Sequence, residues 1–282
     1  MSQSHIHHII VAYGDQLGYQ HGAKYQILRL LTQFKSLERN ISVVTDHPTL
    51  FDKYPVNVLH LDRSKIKSWG GEGTEHFGIK LKGFEWASRQ DGSDFCVLLD
   101  TDMFWIRDPS ELIQHMQNGW VIIYQDEGTI IGSKNQSIQR FKEGLTGHRL
   151  PWTGGTYELE FESRMYGSAI IGMCRKHLDL INDAFDLFKV LSPYVQAHTV
   201  EQFSLSECLR LNKVEVFEGR KYTNDWSSTG KKDYLTPILA QFFEKEGEHE
   251  FNAHLEKWQS IPLRRPVQEF FKQKINKWRT KK

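Results

Sequence analysis

The strongest constraint on the fold is a short apolar run that ends abruptly in two carboxylates. Residues Phe95 to Leu99 are all apolar, and Asp100-Thr101-Asp102 follows them directly. Apolar residues at successive positions of a run this short predict a central strand that is buried on both faces of a parallel sheet. The aspartates then lie at the carboxyl end of that strand, where α/β proteins bind ligands.

The chain before this run alternates between strand-like and helix-like segments. Short β-branched stretches predict strands at residues 6–12, 41–45 and 56–61, and apolar residues at helical spacing predict helices at 23–34 and 77–88. Strands that alternate with helices in this way predict βαβ units and therefore parallel strands.

Similar signals continue after the acidic triplet. Pro109 is expected to open a short helix with Asp108 as its N-cap. We expect strands at residues 120–124, 168–173 and 214–217, helices at 175–191 and 200–211, and a polar insertion around residues 152–162 as a substrate loop. The predicted fold class is α/β, with a mixed, mostly parallel central sheet flanked by helices.

Length and composition favour one large folded domain. The chain has 282 residues, of which 39% are hydrophobic and 25% charged, as in ordinary globular proteins. Its longest apolar runs are far shorter than the ~20 residues of a membrane span. The N-terminus lacks the features of a secretory signal, which predicts a cytoplasmic protein. The three cysteines are expected to be reduced and packed.

Charge is concentrated at the C-terminus. Residues 264–282 contain eight basic residues and one glutamate, a net charge of +7, so a chain of net charge +1 has a body of −6. An acidic body argues against nucleic acid as a partner. We therefore divide the chain into a domain at 1–255 and a basic tail at 256–282.

The tail also has an apolar stripe. Val267, Phe270, Phe271, Ile275 and Trp278 follow one another at roughly helical spacing, and basic residues surround them. This pattern is typical of an amphipathic C-terminal helix that lies on an anionic membrane surface, which would make the protein peripheral to a membrane. A helix packed on the domain is the alternative.

The acidic triplet is compatible with several kinds of site. In an extended segment the side chains of Asp100 and Asp102 face the same side, so both carboxylates can approach one Mn²⁺ or Mg²⁺ ion. Aspartates also cap helices and end strands, which is the structural alternative. A phosphohydrolase whose first aspartate is the nucleophile is a further alternative. Such enzymes usually carry the motif on their first strand, whereas here it follows three predicted strands.

The run from Phe95 to Pro109 resembles the strand, DxD motif and following Asp-Pro helix start of GT-A fold glycosyltransferases, with bacterial enzymes related to family 8 as the nearest group. The resemblance extends over residues 6–238. It implies a GT-A fold, a nucleoside-diphosphate sugar donor such as a UDP-sugar, a bound Mn²⁺ or Mg²⁺, and a glycan or lipid-linked acceptor. A silent sugar-nucleotide or glycan-binding module of the same fold is the remaining alternative.

The resemblance also implies roles for single residues. The segment Tyr222-Thr-Asn-Asp-Trp226, with Lys231 and Lys232, resembles one that supplies a third metal ligand and diphosphate contacts, although a histidine is usual where Asn224 or Asp225 stands. The expected metal ligands are Asp100, Asp102 and Asn224. The expected donor contacts are Tyr13, Asp46, Trp69, Lys80, Asp100, Thr101, Ser168 and Lys231.

The resemblance also extends to Glu201 and Gln202, at the start of a predicted helix, and makes them the candidates for groups near the reacting sugar. A carboxylate there acts as a general base in an inverting enzyme or stabilises positive charge in a retaining one. Asp225 is a further candidate base or metal ligand. For Glu201 the structural alternative is an acid favoured by the helix dipole.

Overall fold

The computed structural model describes residues 6–33, 39–70 and 77–262. Its strands are β1 Ile6–Ala12, β2 Arg39–Thr45, β3 Asn57–His60, β4 Phe95–Leu99, β5 Met103–Trp105, β6 Val121–Ile123, β7 Asp126–Thr129, β8 Leu150–Trp152, β9 Gly155–Tyr157, β10 Arg164–Tyr166, β11 Ile170–Cys174, β12 Val216–Glu218 and β13 Thr223–Asp225. Its α-helices are α1 Leu17–Gln33, α2 Arg63–Gly70, α3 Gly78–Gln90, α4 Ser110–Gln117, α5 Gln136–Leu145, α6 Asp179–Leu191, α7 Val200–Leu211, α8 Thr229–Glu246 and α9 Phe251–Lys257.

The central sheet has seven strands in the order β12-β6-β11-β4-β1-β2-β3. β11 runs antiparallel to β4 and β6, and the other strands all point in one direction. The predicted α/β class, with a mixed, mostly parallel sheet flanked by helices, is confirmed. The predicted central strand at residues 95–99 is also confirmed, because β4 pairs with β1 on one side and β11 on the other.

Both faces of the sheet are covered, which explains the continuous apolar run of β4. Cys96 and Leu98 pack with residues of α3, α6 and α7, whereas Val97 and Leu99 pack on the other face with residues of α1, α4 and α8. All five side chains of β4 are buried. Alternating side chains therefore supply two separate cores.

The insertion between β6 and β11 folds on the end of α7. β7 pairs with β10, and β8 forms a hairpin with β9. Glu207 of α7 is fully buried and accepts hydrogen bonds from Tyr157 Oη at 3.1 Å and Ser163 Oγ at 2.8 Å, and Arg210 pairs with it at 2.9 Å. This buried carboxylate ties the insertion to the domain.

The start of the predicted tail packs on the domain. Trp258 and Ile261 are buried, and Trp258 meets the ring of Tyr25 in α1 edge to face at 6.0 Å. The core thus continues past residue 255. The predicted amphipathic helix from Val267 onward lies outside the described residues. Cys96, Cys174 and Cys208 are buried free thiols. None of the described helices is long and apolar enough to cross a membrane.

Helix α1 determines where the acidic triplet lies. A Cβ atom added at Gly22 would stand 2.2 Å from the carbonyl oxygen of Thr101, so the two backbones touch. Gln26 donates from Nε2 to the carbonyl oxygens of Asp100 and, at 2.7 Å, Met103. A glycine permits the close approach, and a buried amide satisfies the carbonyl groups of the turn.

We predict that Gly22→Ala destabilises the protein by roughly 1–3 kcal/mol, because the new methyl group overpacks the contact with the Thr101 carbonyl. Equilibrium unfolding in urea measures the change. Gly92→Ala is the matched control, since a Cβ there meets no described heavy atom within 4 Å. Equal unfolding midpoints for the two variants would contradict the close contact.

Candidate active site

One large cavity, of about 1040 Å³, opens at the edge of the sheet where the parallel strands end. Tyr13 follows β1, Asp46 follows β2, Asp100 follows β4, and Tyr124 follows β6. Ser168 precedes β11, whose reversed direction brings its start to the same edge. The topology of the sheet therefore brings together side chains that are far apart in the sequence.

The cavity contains most of the residues that the sequence singled out. Those that line it are Tyr13, Asp46, Lys80, Asp100, Thr101, Asp102, Ser168, Glu201, Gln202 and Asp225. The insertion supplies part of the wall through Glu127, Asn135, Ser137, Ile138 and Met165. Residues 152–162, which were expected to form a substrate loop, are not among the lining residues, so the part of the insertion that reaches the cavity differs from the prediction.

Three expected site residues lie outside the lining. The ring of Trp69 packs edge to face on Trp86 at 5.7 Å. Lys231 donates to the backbone carbonyl of Asp225. Asn224 neighbours Asp225 on β13, and adjacent side chains of a strand point to opposite faces, so only Asp225 lines the cavity. The structure thus does not bring Asn224 to the two aspartates as a third ligand.

Lys80 links the acidic triplet to Ser168, at the start of β11. Its Nζ lies 2.7 Å from Asp100 Oδ1 and 3.1 Å from Ser168 Oγ. Burial raises the pKa of Asp100, the charge of Lys80 opposes that rise, and the charge of Asp102 adds to it. Asp100 and Asp102 both line the same cavity.

Glu201 is a buried carboxyl group with spare hydrogen-bonding capacity. It is 4% exposed, and its Oε1 accepts a 3.4 Å hydrogen bond from Ser168 Oγ. Its Oε2 has no hydrogen-bond partner within the described ranges. Burial raises the pKa of Glu201 to about 7, although the charge of Lys80 opposes this rise. A carboxyl with this pKa can both take up and release a proton near neutral pH.

Gln202 is held on two sides. Its Oε1 accepts from the backbone N–H of Ser168 at 3.4 Å, and its Nε2 donates to Glu127 Oε1 at 3.3 Å. The side-chain amide therefore lies between the start of β11 and the insertion. Glu127 connects the insertion to the first turn of α7, a contact that the sequence analysis did not anticipate.

Asp225 differs from Glu201 in its surroundings. Burial disfavours its charge, but the Ser227 hydrogen bonds and the charge of Lys231 outweigh burial and lower the pKa of Asp225. Its Oδ2 also accepts a hydrogen bond from Tyr124 Oη at 3.2 Å. A carboxylate that stays ionised is a weak base, so Glu201 is better suited to proton transfer than Asp225.

At the β1–β2 end of the cavity, Asp46 fixes the backbone. Its carboxylate accepts from the Gly14 N–H at 3.0 and 3.2 Å, and Gly14 has a positive φ of 95°. Burial raises the pKa of Tyr13, and the nearby charges of Glu201 and Asp100 add to that effect. Tyr13 therefore stays neutral and presents a phenol to the cavity.

Lys232 follows Lys231 in α8, and of these two lysines Lys231 was the expected donor contact. Its Nζ lies 2.9 Å from Asp102 Oδ2, and it lines the cavity where Lys231 does not. The signal was present in the sequence: Lys232 precedes the buried residues Leu235, Leu239 and Phe243 at helical spacing, so it shares their inward face.

The two aspartates suit a hard divalent ion. Their side chains are 33% and 22% exposed toward the cavity, and carboxylate oxygens are the ligands that Mg²⁺ and Mn²⁺ prefer. Within residues 6–33, 39–70 and 77–262, no group of three or more His, Cys, Asp or Glu side chains is placed to hold a metal.

Structural comparison aligns parts of this chain with solved glycosyltransferases. The bifunctional glycosyltransferase WbbM, in its apo form, aligns with a TM-score of 0.46 and 13% identity over 76% of this chain and 39% of its own. The galactosyltransferase LgtC, in complex with donor and acceptor sugar analogues, aligns with a TM-score of 0.48 and 9% identity over 74% of this chain and 72% of its own. The chain thus spans well under half the length of WbbM.

No protein-family model matches the sequence, and no curated protein sequence matches it significantly. At these identities and TM-scores, the function has to be inferred from the chain's own residues.

The buried carboxyl group leads to a pH-dependent prediction. Because the pKa of Glu201 is about 7 in the folded state and near 4.5 ordinarily, its ionisation destabilises the fold increasingly as pH rises from about 4.5 through 7. Glu201→Gln removes this cost. We predict that the variant matches the wild type at pH 5 and is more stable by on the order of 2 kcal/mol at pH 8.

Urea unfolding at both pH values measures this difference. Glu162→Gln, at an exposed carboxylate of the insertion, is the matched control and should show little change at either pH. A Glu201→Gln effect that is the same at pH 5 and pH 8 would contradict the raised pKa.

Proposed function

We propose that this chain is a metal-dependent glycosyltransferase that transfers a sugar from a nucleoside-diphosphate donor, a UDP-sugar, to a hydroxyl group of a glycan or lipid-linked acceptor. The observation that carries the proposal is one cavity in which paired aspartates, two lysines and a buried carboxyl of raised pKa line the ends of neighbouring strands. Mn²⁺ or Mg²⁺ at Asp100 and Asp102 would act as a Lewis acid toward the leaving diphosphate.

The order of the strands supports an extended donor. Asp46, Tyr13, Asp100 and Ser168 stand at the ends of β2, β1, β4 and β11, which are successive neighbours in the sheet. Neighbouring strands are about 4.8 Å apart, so these positions span about 14 Å. We assign the nucleoside to the Tyr13 and Asp46 end, the diphosphate to the aspartates and lysines, and the sugar to the Ser168 and Glu201 end.

The lysines suit the diphosphate. Lys80 and Lys232 each pair with one aspartate of the triplet, so their ammonium groups lie where the charge of the leaving group would develop. Positive groups held at that position stabilise developing negative charge. Lys80 is also fixed by Ser168, which would keep it in place during donor binding.

Glu201 suits the reacting centre. It is buried beside Ser168, its Oε2 is unpartnered among the described residues, and its pKa lies near neutrality. In an inverting reaction it would remove the proton of the acceptor hydroxyl, and in a retaining reaction it would stabilise positive charge on the sugar. Gln202 and Glu127 would position the acceptor side of the cavity.

The basic tail belongs to the same proposal. We propose that the basic residues of the tail, at 264–282, bring the enzyme to an anionic membrane surface, which would suit a lipid-linked acceptor. Each basic residue near such a surface contributes about 1 kcal/mol to binding. Co-sedimentation with anionic vesicles tests this, with the full chain expected to pellet and a chain ending at Pro262 expected to stay in solution. Equal pelleting would contradict it.

We predict Mn²⁺-dependent release of nucleoside diphosphate when the protein is incubated with its donor from a panel of sugar nucleotides. Asp102→Asn keeps the shape of the side chain but removes a metal-binding charge, so it should lower turnover by at least ~100-fold, as expected for lost transition-state stabilisation. Asp108→Asn, at a carboxylate outside the cavity lining, is the matched control and should retain turnover.

The same panel separates the proposal from its competitor. Thermal stabilisation by one nucleotide together with Mn²⁺ is expected. Release of phosphate from simple phosphoesters, without stabilisation by any sugar nucleotide, would contradict the proposal and favour an Asp-x-Asp phosphohydrolase.

A further inference from the structure

The cavity has a large excess of negative charge. Seven carboxylate residues and two lysines are among its lining residues. Both lysines are engaged with the acidic triplet, Lys80 with Asp100 and Lys232 with Asp102. Positive charge in the described part of the cavity is thus concentrated at the place that we assign to the donor's diphosphate.

The two lysines are held differently. Lys80 is 12% exposed and has two polar partners, Asp100 and Ser168. Lys232 is 42% exposed, and in residues 6–33, 39–70 and 77–262 its one ion-pair partner is Asp102. It stands in the first turn of α8, with the ring of Tyr19 5.9 Å from its Nζ. A flexible, half-exposed side chain with a single charged partner can exchange that partner.

A divalent ion and Lys232 both suit the same carboxylate. The ammonium lies 2.9 Å from Asp102 Oδ2, so a cation coordinated by that carboxylate would stand directly beside another positive charge. Two positive charges that share one carboxylate repel each other strongly in a partly buried site. The Asp102–Lys232 ion pair therefore opposes metal binding at this carboxylate.

We infer that Lys232 competes with the divalent ion for Asp102, and that the donor's diphosphate relieves the competition by accepting the displaced ammonium group. This inference rests on the proposed function, because it takes the metal and the diphosphate as ligands of the same site. Its consequence is thermodynamic coupling: the metal binds weakly by itself and more tightly with the nucleotide, and the nucleotide gains equally from the metal.

The inference predicts opposite effects of one substitution on two affinities. Lys232→Met leaves Asp102 without its cation, so Mn²⁺ alone should bind roughly tenfold more tightly than to the wild type. The same change removes the group that receives the diphosphate, so UDP in the presence of Mn²⁺ should bind more weakly. A residue that only supports the fold would not move the two affinities in opposite directions.

The experiment is a titration of the purified full chain with Mn²⁺. Binding is measured by calorimetry and by the electron paramagnetic resonance signal of the Mn²⁺ that stays free. Lys231→Met is the matched control. It removes the same charge at the neighbouring residue, whose side chain donates to the Asp225 carbonyl instead of pairing with Asp102. It should leave Mn²⁺ affinity within about twofold of the wild type, which also measures the long-range effect of one charge. Lys232→Arg keeps the charge and should resemble the wild type.

A second titration with UDP, with and without Mn²⁺, measures the coupling in each variant. The inference is overturned if Lys232→Met binds Mn²⁺ no more tightly than the wild type, if Lys231→Met gives the same gain, or if none of the proteins binds Mn²⁺. Failure of the proposed function would look different, because the wild type would then bind Mn²⁺ but show no stabilisation by any nucleotide with it.

Discussion

The contact between helix α1 and the turn that follows β4 governs the rest of the site. Gly22 lets the backbone of α1 touch the Thr101 carbonyl, and Gln26 holds the carbonyl groups of Asp100 and Met103. The main chain of the acidic triplet is thereby bonded inward, which leaves its carboxylates facing the cavity. In the proposed function the site presents two like charges to one cation, and such a site would require this rigid support.

The surroundings of the carboxylates then separate their chemistry. Asp225 accepts hydrogen bonds that keep it ionised, whereas Glu201 is buried and has a pKa of about 7. Asp100 and Asp102 are each compensated by a lysine. Burial and hydrogen bonding thus act differently on the carboxylates of one cavity, which in the proposed function would suit the aspartates to binding charge and Glu201 to proton transfer.

Much of the fold could be predicted from periodicity. The uniformly apolar β4 and the 12-residue α7 both gave clear patterns, and their predicted bounds agree with the structure. The start of α1 was missed, since the prediction began at residue 23. Its first turns contain Gln20 and His21, which are buried through bonds to Gly14 and Glu248 that depend on tertiary structure. The acidic triplet could be recognised from the neighbouring residues alone. Which of Lys231 and Lys232 lines the cavity depends on the rotation of α8 about its axis, and nothing in the sequence around Glu127 indicates that it lines the cavity.

The central claim is that the Asp100 and Asp102 carboxylates hold a divalent ion that binds the diphosphate of a nucleoside diphosphate. The most direct measurement is the anomalous difference density of Mn²⁺ in crystals grown with Mn²⁺ and UDP. The account predicts one strong peak in contact with the Asp102 carboxylate and the diphosphate, with the uridine next to Tyr13 and Asp46. Manganese bound elsewhere, or UDP bound outside this cavity, would contradict it.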